Sequence, residues 1–140
     1  MTGKQQTYRI VIASQTERLH DVRKFISDLA RQHGFQDDDV NKISIAVDEA
    51  CTNIIKHGYN FAPDRDIDIE VIRNGNEFEI LISDNGKQFD PNSVETPDMK
   101  EYLSHFRRGG LGMYLMKRIM DKVEFNFRRD RNVLRMIKSL

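Results

Sequence analysis

Residues 48–58 read DEACTNIIKHG. Glu49, Asn53 and His57 fall at i, i+4 and i+8, a straight row if the segment is helical. Around them Ile43, Val47, Ala50 and Ile54 cluster, at about 100° per residue, into one apolar stripe that must face a core. The acid, the amide and the imidazole therefore lie on the flank of that stripe, half-buried at its rim. Asn is a mediocre helix former, so a mid-helix Asn53 calls for a reason. A plain structural account exists too: Asn53 bonds nearby backbone, Glu49 is solvated and His57 ends the helix. The choice depends on what the rest of the chain sets opposite the row.

Working outward, Asp37, Asp38 and Asp39 suit the positive end of this helix, which is predicted to run to about Gly58. Upstream, YRIVIA (Tyr8 to Ala13) reads as a short apolar strand. Ser14 followed by Glu17 is a capping-box signature, and Leu19, Val22, Phe25, Ile26 and Leu29 recur at helical spacing until Gly34. Downstream, Ile67, Ile69 and Val71 alternate with Asp68 and Glu70, and NGN at Asn74 to Asn76 signals a hairpin. Phe78, Ile80 and Ile82 then alternate with Glu77 and Glu79. Periodicity is lost from about Pro91 to Arg108. A third helix is predicted from Gly110 to Leu111 onward, and VEFNF (Val123 to Phe127) pairs with VLRMI (Val133 to Ile137) across RRDRN. One amphipathic sheet face covered by three helices gives an α+β two-layer sandwich.

The bounds agree with one ordinary domain. The 140 residues suffice to bury a real core. The 22 basic and 22 acidic side chains cancel, which argues against direct nucleic-acid binding, since neutralising phosphates calls for a basic excess. The single Cys51 excludes an intramolecular disulfide framework and a cysteine metal site. The opening MTGKQQTYRI lacks the apolar core of a signal peptide, and no run approaches membrane-spanning length. The expectation is a soluble, cytoplasmic, single-domain protein without a membrane partner.

Two further clusters carry chemistry. SDNGKQFDP, Ser83 to Pro91, stands at the exit of the strand built on Phe78, Ile80 and Ile82. Asp84 follows Ile82 in the inward phase, so a carboxylate is aimed at the core layer and needs hydrogen-bond donors. A donor-rich ligand edge such as an exocyclic amine would serve, although Asn85-Gly86 is also an ordinary turn dipeptide. RRGGLGMYLM places Gly109, Gly110 and Gly112 directly before an apolar helix, where backbone N–H groups and the helix N-terminus favour an anion such as phosphate. Neither the dinucleotide fingerprint nor a P-loop has this spacing.

In this order the three pieces resemble the GHKL (Bergerat-fold) ATPase family: histidine kinase catalytic domains, the ninety-kilodalton heat-shock chaperone, type II topoisomerases and mismatch-repair ATPases. EACTNIIKHG resembles its N box, DNGKQFDP its first glycine box and GGLGMYLM its second. The resemblance covers nearly the whole chain, residues 1–140, as one histidine-kinase-like ATPase domain with one mixed sheet under about three helices. The compact length, the DEAxTNxxxHG helix and the FDP ending are most like one branch, the anti-sigma factor serine-protein kinases of bacterial partner switching.

The resemblance implies roles. Asn53 matches the Mg²⁺ ligand, an amide oxygen suited to a hard cation. Glu49 matches the carboxylate that orients or deprotonates the attacking hydroxyl, and at an ordinary Glu pKa of about 4.3 it would be ionised at neutral pH. Asp84 matches the acceptor for the adenine amino group, and Gly86 lets the base approach. His57 belongs to the same nucleotide-binding set, as do Gly109, Gly110, Leu111 and Gly112 around the phosphates. The stretch Pro91 to Arg108 matches a lid, whose Arg107 and Arg108 either bring positive charge to the triphosphate or are a solvated pair. Gln88 stands where many relatives have a second glycine. RRDRNV lacks the Gly-Thr pair that often precedes the last strand, with Arg131 in place of the threonine that helps hold the adenine-binding acid.

The implied function is an ATP- and Mg²⁺-dependent serine/threonine-protein kinase that acts as an anti-sigma factor. It would hold a sigma factor and phosphorylate a serine on an antagonist protein. The implied assembly is a homodimer, with YRIVIA as its seam. Two alternatives are a non-catalytic ATP-binding module that captures a protein partner, and a same-fold regulator whose partner is not a sigma factor.

Overall fold

A computed structural model describes residues 5–87 and 110–140, and the side chains of all of these except 110–113. The expected lid, with Gln88, Arg107, Arg108 and Gly109, lies outside the described residues. Five strands, β1 (Gln6–Ala13), β2 (Asp66–Asn74), β3 (Glu77–Asp84), β4 (Lys122–Arg128) and β5 (Arg131–Ser139), form one sheet in the order β1-β2-β3-β5-β4. Three α-helices accompany them among the described residues: α1 (Leu19–His33), α2 (Asp37–Asn53) and α3 (Gly110–Ile119). The two-layer α+β sandwich expected from the sequence is present. Its sheet is antiparallel in every pairing rather than mixed. Two tight hairpins join β2 to β3 and β4 to β5. The longer connection through α1 and α2 brings β2 back antiparallel beside β1, whereas the one that includes α3 leads to β4, which runs parallel to β3 with β5 between them.

The period-two pattern builds the core. Ile10, Ile69, Ile82, Leu134 and Phe125 stand opposite one another in one row across all five strands. Against this face pack Val22, Ile26 and Leu29 of α1, Ile43, Val47 and Ala50 of α2, and Met116 and Met120 near α3, all buried. Each large aliphatic side chain taken fully out of water contributes roughly 1.5–3 kcal/mol. Helix α1 stops at Gly34 (φ 111), where the N–H groups of Gly34 and Phe35 close on Arg31 O and Ala30 O. That pairing is a Schellman C-cap, and it requires the left-handed conformation glycine supplies. Arg23 Nε donates to Asp48 Oδ1 at 2.8 Å and ties α1 to α2. Among the described residues no helix lies on the opposite sheet face, which carries ion pairs of Arg9 with Asp68 and of Arg135 with both Glu79 and Glu124.

Two local expectations are corrected. Ser14 does not cap α1. Its buried hydroxyl donates to Ala62 O and accepts from Arg65 N at 3.1 Å. The helix begins instead as a 3-10 turn, Thr16–Arg18, behind Gln15. A distant loop outcompeted the local cap for that hydroxyl. The second helix does not remain α to Gly58 either: after Asn53 it widens into a π turn, Ile54–Gly58, closed by Tyr59 N on Ile54 O at 2.8 Å.

Candidate functional site

The site is built where α2, the π turn and the ends of β3 and β5 meet. Asp84, the last residue of β3, is only 5% exposed, in phase with Phe78, Ile80 and Ile82 as expected. Its Oδ1 accepts from Gly86 N at 2.8 Å and from Asn132 Nδ2 at 3.0 Å. Asn132 Nδ2 also donates to Gly86 O at 3.1 Å. The β3–β5 register sets Asp84 directly opposite Asn132, so neighbouring strands present both side chains on the helix-covered face. The support expected from a threonine near Arg131 is thus supplied by the next residue, Asn132. Period two already contained that signal, because Asn132, Leu134 and Met136 share a phase that Arg131 does not.

The π turn docks against this corner backbone to backbone. Lys87 N donates to Gly58 O at 2.7 Å. A Cβ on Gly86 would come within 2.6 Å of both C and O of Gly58, closer than any real side chain tolerates. Gly86 is therefore required by the close approach of Gly58, a reason the sequence did not show. On Gly58 itself a Cβ would lie 3.6 Å from Asp84 Oδ1, so this glycine borders the acid. Tyr59, also unforeseen, locks the corner from outside. Its phenol donates to Asp66 O at 2.6 Å and accepts from Asn85 N at 2.9 Å. Burial pushes the phenol pKa up, against a smaller opposing effect of the Asn85 N–H.

One turn back along α2 the character changes. Glu49 and Asn53 are half-buried on the flank of the apolar stripe, as expected. Glu49 Oε2 is buried with no hydrogen-bond partner among the described residues. Burial, helped by the Asp48 charge and partly offset by Lys56, raises its pKa above the ordinary glutamate value assumed from sequence. No hydrogen bond among the described residues uses the Asn53 side chain. His57 does not stay with them. The widened turn carries it off the row, and it is exposed. Beneath, the buried Cys51 thiol is pushed up by burial and then by the Asp48 and Asp84 carboxylates, which marks how near α2 passes to Asp84. The backbone of Gly110, Leu111 and Gly112 opens α3, where a helix N-terminus suits phosphate.

With Asp84 anchored at the end of β3 and an uncommitted carboxylate and amide on α2, the candidate site sits in a chain whose class is that of the histidine kinase-like ATPases. Residues 12–138 match the model of the histidine kinase-like ATPase domain, and the chain belongs to that family. Within it the chain is 31% identical over 123 residues to the serine-protein kinase RsbW of Halalkalibacterium halodurans, covering 85% of this chain and 75% of that one. It is 32% identical over 120 residues to the RsbW of Bacillus cereus, covering 81% and 72%. Among solved structures, the RsbU and RsbW domains from Mycobacterium tuberculosis superpose with a TM-score of 0.69 at 13% identity, over 96% of this chain and 32% of that longer one. A chain of the SiaB–SiaC complex from Pseudomonas aeruginosa gives 0.67 at 11% identity, over 93% of this chain and 88% of that one. These two likenesses speak for the fold. No helix among the described residues is long and apolar enough to cross a membrane.

Proposed function

We propose that this chain is a Mg-ATP-dependent serine/threonine-protein kinase that acts as an anti-sigma factor and phosphorylates a serine on an antagonist protein. The observation that carries the enzymatic part is Glu49: a buried, unpartnered carboxylate oxygen one helical turn from an uncommitted amide at Asn53. An orphaned buried acceptor is costly, about 1–3 kcal/mol, and invites a donor from a ligand. A serine hydroxyl is such a donor. Glu49 would take the hydroxyl proton as the serine oxygen bonds to the γ-phosphorus and the bond to the bridging oxygen of ADP breaks. Its raised pKa brings the base nearer the working pH, which favours proton transfer. Asn53 fits as a hard-cation ligand, and Mg²⁺ held there supplies charge neutralisation to the phosphates. Asp84 would accept from the adenine amine. The RsbW relatives, named serine-protein kinases, support the same reading.

The partner-switching role rests on the resemblance of the DEAxTNxxxHG helix and the FDP ending to the anti-sigma branch of the family. In the same reading β1 carries the homodimer seam, supported by its place at the sheet edge, where among the described residues it pairs with β2 alone. Light scattering at tens of micromolar checks the dimer independently of the chemistry.

The decisive experiment uses labelled ATP and a small antagonist encoded nearby. Mg-ATP at a hundred times its dissociation constant should stabilise the protein by about 2.7 kcal/mol. Glu49→Gln should bind ATP near wild-type affinity while transfer falls at least about 10²-fold. Asn53→Ala should lose Mg-dependent binding and transfer together. Wild-type protein that binds ATP and the antagonist but moves no label would leave a non-catalytic capture module in the kinase's place.

A further inference from the structure

We propose that Asn132 is a positioning residue that makes the cleft select a base edge bearing an amino donor and reject one bearing a carbonyl. The inference deepens the nucleotide reading above and rests on it. An amide nitrogen carries two hydrogens, and both are used here, on Asp84 Oδ1 and Gly86 O. The flipped amide would aim a carbonyl at two acceptors, so the orientation is set by its surroundings.

The consequence falls on Asp84. Its Oδ1 takes two donors, Gly86 N–H and Asn132 Nδ2–H, whereas no hydrogen bond among the described residues uses Oδ2. One oxygen is anchored and the other is offered. Carboxylate χ2 is a soft, broad torsion, and the two bonds on Oδ1 hold it. A fixed carboxylate oxygen can only accept, so an exocyclic amine completes it and an oxo group in the same place confronts it. Sites that recognise a polar group in this way discriminate strongly, because the wrong partner leaves buried polar atoms unpaired.

The test compares dissociation constants for Mg-ATP and Mg-inosine triphosphate, which carries an oxo group in place of the amine. The proteins are wild type, Asn132→Ala, Asn132→Thr and Asn132→Asp. Loss of a hydrogen bond to a charged group should weaken ATP about tenfold or more in Asn132→Ala and shrink the ATP-to-inosine preference. Asn132→Thr, whose hydroxyl can still donate to Oδ1, should recover most of the affinity. Asn132→Asp sets two carboxylates together, which must share a proton. The pair can then donate as well as accept, and inosine triphosphate should come within a few-fold of ATP. Should Asn132→Ala fail to fold, the Thr and Asp variants decide. A preference that stays at the wild-type ratio in the variants, with ATP still bound by wild type, overturns the role of Asn132 alone. Wild-type protein that binds neither nucleotide overturns this assignment together with the nucleotide reading.

Discussion

The two ends of the cleft handle their polar atoms in opposite ways. At the β3 end, Asp84 Oδ1, Gly86 and Asn132 bond one another, while Lys87 N on Gly58 O and the Tyr59 phenol between Asp66 O and Asn85 N hold the corner, all at 2.6–3.1 Å. At the α2 end, Glu49 keeps a buried oxygen without a partner among the described residues, and Asn53 keeps its amide uncommitted. Apart from Asp84 Oδ2, the oxygen left for a ligand, the β3 end is saturated: its anchoring bonds are made before a ligand arrives, which suits it to recognition. An unsatisfied pair costs stability and holds reactivity in reserve, since a ligand completes what the fold left open. The π turn joins the two, and such insertions recur at functional sites.

The largest expected effect breaks the saturated end. Gly86→Ala would press a Cβ against backbone atoms of Gly58 that no side-chain rotation can relieve. Overpacking of this kind costs about 1–3 kcal/mol, so a thermal melt should fall by several degrees and ATP binding should go with it. Gly75→Ala supplies the contrast. Gly75 has φ 61, but a Cβ there would meet nothing within 4 Å, so the cost is backbone strain and ATP affinity should hold. Equal behaviour of the two variants would mean that the Gly58–Gly86 contact does not organise the site.

A smaller effect sharpens the contrast from the unsatisfied end. The folded-state pKa of Glu49 lies above its unfolded value, chiefly because burial penalises the charged form. Below the unfolded pKa the carboxyl is protonated in both states and its contribution is fully present. As pH rises through the folded pKa the unfolded chain gives up its proton more readily, and that stability is lost. Glu49→Gln, neutral throughout, should therefore melt progressively higher than wild type as pH climbs from about 4.5 toward 7. Paired melts across that range measure it. A gap that is flat, or that narrows, would show that the fold does not strain this carboxylate.

The sequence was informative where one periodicity ran undisturbed. The strands from Ile67 to Val71 and from Phe78 to Ile82, the end of α1 at Gly34, and the inward aim of Asp84 all stand where alternation and capping rules put them. It was silent where a distant group set the outcome. Ser14 looks like a helix cap until Ala62 and Arg65 arrive from a loop almost fifty residues away. The π turn leaves the apolar pattern of Ile54 and Ile55 nearly intact while displacing His57, so helical spacing alone overstates the row. Tyr59 carries no motif, because its partners are backbone groups at Asp66 and Asn85. Asn132 was legible in principle from the phase of Leu134 and Met136. Counting from the missing threonine led one residue short.

The smallest effect tests whether the saturated end reaches beyond its own bonds. Arg128 pairs with Arg131, so the β4–β5 hairpin turns through two residues, Arg129 and Asp130, both at positive φ (52 and 63). Such a turn matches the twist of its strands but favours Asn-Gly, which enters the left-handed region at little cost. Replacing the pair by Arg129→Asn with Asp130→Gly should stabilise the protein by about 0.5–1 kcal/mol, a rise of a few degrees in Tm. The turn is exposed and lies two residues from Asn132. If the network around Asp84 is self-sufficient, the ATP-to-inosine preference and the rate of transfer should both stay at wild-type values in the stabilised protein. A preference that moves by more than about threefold, roughly 0.6 kcal/mol, would mean that the hairpin turn helps hold the amide in place. The boundary of the recognition site would then extend to the tip of the sheet, while Glu49 and Asn53, on another element, would remain as they are.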